Sequence, residues 1–148
     1  MTKAFFRKGI RCMLALAIFI VLVVCVWYVY ETRWDRQLFQ AKPGSLCQNL
    51  QAQEAKDWLR DHPETQVLDV RSADEFSRGA LPQAIHLSLG DDSFEQKLLT
   101  LDSSKPVLVY CAGGYRSRKA VEKLKRLGFV NIQHLHRGYL SWRPEKLP

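Results

Sequence analysis

Cys111 opens the stretch Cys111-Ala112-Gly113-Gly114-Tyr115-Arg116-Ser117-Arg118, which gathers several groups able to handle an anion. The apolar run Val107–Tyr110 precedes it, and a helical pattern follows from Tyr115. Two glycines after a cysteine let the backbone curl, so that several N–H groups point at one place. A helix start adds partial positive charge, and Arg116 and Arg118 add formal charge. All of these favour a thiolate over a thiol, and the thiolate is the nucleophile. The same cradle would hold an anion bonded to the sulfur. A cysteine alone at a strand end reads as core. With two glycines and two arginines beside it, it reads as a nucleophilic loop.

Such a loop needs a frame. The apolar run at 107–110 predicts a central strand covered on both faces. Tyr115–Leu127 predicts a helix with Ala120, Leu124 and Leu127 inward, Lys119, Glu122, Lys123 and Arg126 in solvent, and Gly128 as its stop. Val67–Val70, Ala84–Leu87 and Asn131–Leu135 read as further strands. Asn49–Arg60 reads as a helix ending before Pro63. Ser72 with Glu75, and Ser93 with Gln96, have capping-box spacing for two short helices. Alternation of strand and helix predicts an α/β fold with a parallel sheet between helices. Ligands in such folds bind beyond the carboxyl ends of the strands, where Cys111 lies.

Residues 45–148 as a whole resemble a single-domain rhodanese, a thiosulfate sulfurtransferase. Three stretches carry the resemblance in order: Leu68-Asp-Val-Arg71-Ser-Ala-Asp-Glu75-Phe76-Ser-Arg-Gly79-Ala-Leu-Pro-Gln-Ala84-Ile85-His-Leu, the loop C-A-G-G-Y-R-S, and Arg137-Gly138-Tyr139-Leu-Ser-Trp142. The resemblance implies a rhodanese-like five-stranded parallel sheet flanked by helices, with Cys111 carrying a persulfide. It also implies substrate contacts from Ala112, Gly113, Gly114, Tyr115, Arg116, Ser117 and Arg71. Asp69 would help Arg71 shape the rim, and Arg118 would lend charge. The reaction implied moves sulfane sulfur from thiosulfate or a similar donor to a thiol or cyanide, without metal or organic cofactor. Cys111 through Arg116 is a six-residue loop, whereas phosphatases sharing this fold use seven. The shorter loop disfavours a phosphatase or arsenate reductase. A non-catalytic persulfide-sensing or partner-docking module is the other reading. The family often has Gly where Gln83 stands, Gly-His at Gly79-Ala80 and Gly-Gly at Arg137-Gly138.

Other residues carry weaker signals. His134 and His136 alternate on one strand face, as metal ligands can, but no third ligand is suggested nearby. His62 and His86 show no motif. Cys47 reads as a buried hydrophobe, with a disulfide to Cys111 as the alternative. Four cysteines are too few and too irregularly spaced for a disulfide scaffold or zinc module.

Composition bounds the rest. The chain has 148 residues, 47% of them hydrophobic and 25% charged, which excludes a disordered tail and leaves room for one ordinary domain. More than half of the net charge of +7 lies in the first 30 residues, where Lys3, Arg7, Lys8 and Arg11 face no acid. The remainder lacks the strong field of a nucleic-acid binder. Cys12 to Tyr30 carries no charge and would span about 28 Å as a helix, close to the hydrocarbon thickness of a bilayer. Trp27, Tyr28, Tyr30 and Trp34 suit the far interface. No A-x-A-like cleavage site follows, so an uncleaved anchor is expected rather than a signal peptide. The expected organisation is a basic flank at 1–11, a transmembrane helix at 12–30, a juxtamembrane stalk at 31–44 ending at Pro43-Gly44, and the folded domain at 45–148. Four bases before the span against three in residues 31–45 predict a cytoplasmic N-terminus and a periplasmic domain, as in a bacterial inner membrane. The reverse orientation, with the domain cytoplasmic, is the alternative. No protein partner is legible.

Overall fold

The structure is a computed structural model that describes residues 2–40 and 46–142; the expected Pro43-Gly44 breaker and the domain start at Ser45 lie outside the described residues. Helix α1 runs over Thr2–Leu38. It contains the expected span and continues unbroken through Glu31–Leu38, the first part of the expected stalk. Its side chains from Met13 to Tyr30 are exposed. By length and composition it could cross a membrane, a test that a signal sequence also passes. The chain to Gln37 forms one unit, and the globular unit begins at Leu38. Leu38 and Phe39 pack into that unit's core.

The globular unit is built of β1 (Leu46–Leu50), α2 (Ala52–Asp61), β2 (Gln66–Asp69), α3 (Ala73–Ser77), β3 (Ile85–His86), α4 (Phe94–Leu98), β4 (Val107–Tyr110), α5 (Tyr115–Arg126), β5 (Asn131–Leu135) and α6 (Gly138–Ser141). The five strands form one parallel sheet in the order β1-β5-β4-β2-β3. Side chains alternate between the two faces of a strand. Leu68, Val70, Val107, Val109, Cys111 and Ile132 therefore share one face, packed on Phe94 and Leu98 of α4 and on Ala120, Val121 and Leu124 of α5. Val67, Leu108, Tyr110 and Leu135 share the other, under Ala55 and Leu59 of α2 and beside Tyr139 and Trp142. β4 is buried along its whole length, so Cys111 emerges from the middle of the sheet on the α4–α5 face.

Three local expectations change. The helix expected from Asn49 starts at Ala52, because Leu46–Leu50 pairs with β5, from Leu46 opposite Asn131 to Leu50 opposite Leu135. That pairing is non-local, and Leu-Cys-Gln-Asn-Leu has no strand pattern of its own. The Ala84–Leu87 strand shrinks to Ile85–His86 at the sheet edge. The Ser72–Glu75 capping box forms, with Glu75 N–H donating to Ser72 Oγ at 3.3 Å and Ser72 N–H to Glu75 Oε2 at 3.1 Å. The one at Ser93–Gln96 does not, since Ser93 Oγ donates to Asp91 Oδ1 at 2.7 Å instead.

Among the described residues, two that are not glycine have a left-handed backbone, Gln83 at φ 57° and Arg137 at φ 59°. Both occupy places where the resembled family often has glycine. The fold demands the turn there, and a side chain with a Cβ makes it at a cost of roughly 1–2 kcal/mol.

Candidate active site

Cys111 follows β4 directly and is 1% exposed. Gly114, at φ 95°, turns the chain so that its N–H donates to Cys111 Sγ at 3.1 Å. Ser117, on the first turn of α5, places its Oγ 3.4 Å from the same sulfur. The loop is braced from outside by α6. Tyr139 N–H donates to the Cys111 carbonyl at 2.7 Å and Leu140 N–H to the Ala112 carbonyl at 3.0 Å. Gly138 makes this approach possible: at φ 56°, a Cβ there would lie 2.2 Å from Cys111 O and 2.7 Å from Ala112 O. The C-terminal stretch Arg137–Trp142 thus acts as the floor of the loop.

Arg116 points to the loop rim, but its fork is taken. Its two terminal nitrogens donate to Glu75 Oε1 and Oε2, each at 2.6 Å. In this geometry the fork is engaged by a carboxylate, and Arg116 brings its charge to the loop rim. The guanidinium is held as a fixed charge, and its pKa is raised by the Glu75 hydrogen bond and further by the charges of Glu75 and Cys111. The Arg116 hydrogen bond, aided by Ser72, holds the Glu75 carboxyl down at about 2. Glu75 was legible only as a helix cap; its second duty depends on α3 and α5 meeting in space.

The Glu75–Arg116 clamp has a pH signature. A carboxyl held below its ordinary 4.5 adds stability above that value and loses it as pH falls toward 2. The difference in thermal midpoint between wild type and Glu75→Gln is expected to stay constant from about pH 7 to 5 and to narrow in more acid solution. A difference that widens in acid would contradict the clamp.

Arg71, expected at the substrate rim, is paired with Asp69. Arg71 Nη2 lies 2.7 Å from Asp69 Oδ2, with the two side chains 4% and 0% exposed. It also donates to the Gly79 carbonyl at 2.6 Å, and its guanidinium carbon sits 4.2 Å from the Tyr139 ring centre. By strand alternation Asp69 shares the Tyr110 face, opposite the thiol of Cys111. The pair braces the strand end from the far side of the sheet. Arg118 is also largely buried, at 9% exposed. Tyr115 is exposed, with Lys119 Nζ 5.0 Å from its ring centre. Gly113 opens on a cavity of about 460 Å³ that it lines with Arg137, Leu140 and Ser141.

His134 is fully buried behind the loop, with Nε2 2.7 Å from Ser117 Oγ and 3.2 Å from Gly114 O. Its Nδ1 and that of His136 both meet the Asn49 amide, at 2.8 and 3.2 Å. Among the described residues no group of three metal-binding side chains gathers. The H-x-H spacing was visible in the sequence, but its partner Ser117 was not, because α5 crosses β5 only in the folded chain. Cys47 is buried, and burial pushes its thiol pKa up. Cys47 and Cys111 are both free thiols. β5 separates their strands, and two strand spacings of roughly 9–10 Å exceed the reach of a disulfide.

A family model described as a rhodanese-like domain matches residues 51–145. YtwF of Bacillus subtilis, which bears a sulfurtransferase name, is 31% identical over 93 residues, covering 63% of this chain and 87% of that protein. A tRNA uridine(34) hydroxylase of Sodalis glossinidius is 30% identical over 106 residues, and this chain spans only 29% of its length. The crystal structure of a rhodanese-like domain protein from Staphylococcus aureus superposes with a TM-score of 0.59 at 28% identity, covering 68% of this chain and 96% of that one.

Proposed function

We propose, from the premise that the chain belongs to the rhodanese-like family, that it is a sulfurtransferase anchored to a membrane by α1, with Cys111 as nucleophile. The observation that carries this reading is the sulfur held at the strand end by Gly114 N–H at 3.1 Å, with Ser117 Oγ at 3.4 Å and the fixed Arg116 charge beside it. The Cys111 thiolate attacks the outer sulfur of thiosulfate. A new S–S bond forms, the old one breaks, and sulfite leaves with the bonding pair. A thiolate or cyanide then attacks the outer sulfur of the persulfide, and the Cys111 thiolate leaves. Loop N–H groups stabilise the negative sulfur in both steps. The full chain in detergent, mixed with thiosulfate, should gain one sulfur atom by intact mass and release it as thiocyanate on adding cyanide. No gain in mass would overturn the reading. Gain without turnover would favour the docking or sensing module.

Arg137 supports an anionic donor. It keeps a strained turn that glycine would make freely, and it lines the cavity at Gly113. Outliers of this kind cluster where function holds them in place. Arg137→Gly is expected to match or exceed wild-type stability by up to about 1 kcal/mol. The same change should raise KM for thiosulfate several-fold while sparing kcat. An unchanged KM would make Arg137 surface charge.

The domain is proposed to face the periplasm, since Lys3, Arg7, Lys8 and Arg11 resist translocation. A periplasm-only reporter fused after Pro148 should be active. Activity of a cytoplasm-only reporter instead would reverse the orientation.

A further inference from the structure

The geometry points to His134 as a positioning residue that aims the Ser117 hydroxyl at the Cys111 sulfur. This inference rests on the reading of Cys111 as the sulfur carrier.

The Ser117 hydroxyl has one proton and three acceptors within range. These are Cys111 Sγ at 3.4 Å, Gly114 O at 3.0 Å and His134 Nε2 at 2.7 Å. A bare Nε2 is the nearest and would take the proton, leaving the sulfur with the Gly114 N–H alone. An Nε2 that carries its own proton reverses this. It donates to Ser117 Oγ and to the Gly114 carbonyl 3.2 Å away, and with Arg118 N–H on the same carbonyl at 3.3 Å both of that oxygen's lone pairs are taken. The hydroxyl is then left to donate to a negative sulfur. The tautomer of His134 therefore decides whether the Cys111 sulfur has one donor or two.

Several groups set that tautomer. Burial holds the imidazole neutral, its pKa lowered to about 3, with the charges of Arg118 and His136 acting in the same direction. One ring nitrogen is therefore protonated near neutral pH, and His134 cannot serve as a general base for the thiol. The Gly114 carbonyl facing Nε2 accepts only, which favours the proton there. As placed, the Asn49 amide turns its Oδ1 to His134 Nδ1 at 2.8 Å and its NH2 to His136 Nδ1 at 3.2 Å, which suits a protonated Nδ1. A half-turn exchanges its oxygen and NH2 between His134 and His136 without moving the backbone, so that its NH2 can donate to a bare Nδ1. Phe39 covers the ring at 5.2 Å and keeps it from water. The result is a chain of donors running from Asn49 through His134 and Ser117 to the sulfur. Removing His134 should act only through Ser117.

Two measurements on the full chain in detergent test this. First, 15N-histidine NMR after sulfur loading should show His134 protonated at Nε2, with its signals assigned by their absence in His134→Gln. An Nδ1-protonated ring in the loaded state would overturn the inference, and this needs no folded core variant. Second, Ser117→Ala should slow sulfur loading by thiosulfate about tenfold, as loss of a charge-assisted hydrogen bond does. His134→Leu should slow it to a similar degree, the double variant should be no slower than either, and His134→Gln, whose amide can donate to Ser117 Oγ, should recover most of the rate. Penalties that multiply in the double variant, or no recovery by glutamine in a folded protein, would refute the relay. If wild type takes up no sulfur, the sulfur-carrier reading falls by itself. Alkylation of Cys111 by iodoacetamide then reads the relay on the thiolate, where the same order of variants is expected and any other order refutes it.

Discussion

Cys111→Ser is expected to abolish sulfur loading by thiosulfate, while Cys47→Ser loads at close to the wild-type rate. The contrast follows from position. Cys111 receives the Gly114 N–H at 3.1 Å and lies within the field of Arg116. Cys47 lies on the same sheet face, but its Sγ lies 3.8 Å from the Leu38 carbonyl, and burial pushes its pKa up against the opposing pull of Lys125. A hydroxyl in place of the thiol is a poorer nucleophile and cannot form a persulfide. Intact mass before and after thiosulfate checks both variants. A Cys111→Ser protein that still gained sulfur would move the chemistry to another cysteine.

Gly138→Ala should have the second largest effect, and it tests the floor of the loop rather than its chemistry. The new methyl would need 2.2 Å from the Cys111 carbonyl and 2.7 Å from the Ala112 carbonyl, on a backbone at φ 56°. The loop or α6 must move, and with it the bonds from Tyr139 N–H and Leu140 N–H. Overpacking and left-handed strain together should cost about 3 kcal/mol. Loading should fall at least tenfold even where the protein remains folded. Gly128→Ala is the control: at φ 86° it has the same left-handed strain, but nothing lies within 4 Å of the added carbon. It should lower the thermal midpoint modestly and leave loading unchanged. Equal losses in the two variants would show that strain alone, and not the brace under the loop, explains Gly138.

The Gly138 result also separates two kinds of motif residue. Cys111, Gly114 and Ser117 lie within seven residues of the chain, so a loop gathering N–H groups on one sulfur could be read before any fold was known, while Ser117 entered only through the resemblance. Gly138 reads as a signature position, yet its reason is contact with carbonyls far away in sequence. Glu75 is similar, since its cap is local and its grip on Arg116 is not. For Arg71, sequence proximity to the strand end does not give the side of the sheet. Period-two alternation puts Asp69 on the face opposite the thiol, but only once the register of Asp69 with Tyr110 is known.

Local rules sufficed wherever one segment carried its own pattern. The apolar run of β4, the amphipathic α5 with its Gly128 stop, the Ser72–Glu75 box, the uncharged stretch inside α1 and the glycine-rich loop were all determined by the sequence alone, because dihedral preference and side-chain periodicity act over a few residues. Tertiary structure alone decided β1, whose residues become a strand by pairing with β5, and the length of β3 at the sheet edge. It decided that Arg116 is clamped by Glu75, and that Arg71 pairs with Asp69. It also brought Asn49, His134 and Ser117, from β1, β5 and α5, into one buried chain behind Cys111. Those outcomes depend on which elements meet, and the meeting is set by burial of the two sheet faces against their helices, a free-energy balance over the whole unit that no short window of sequence contains.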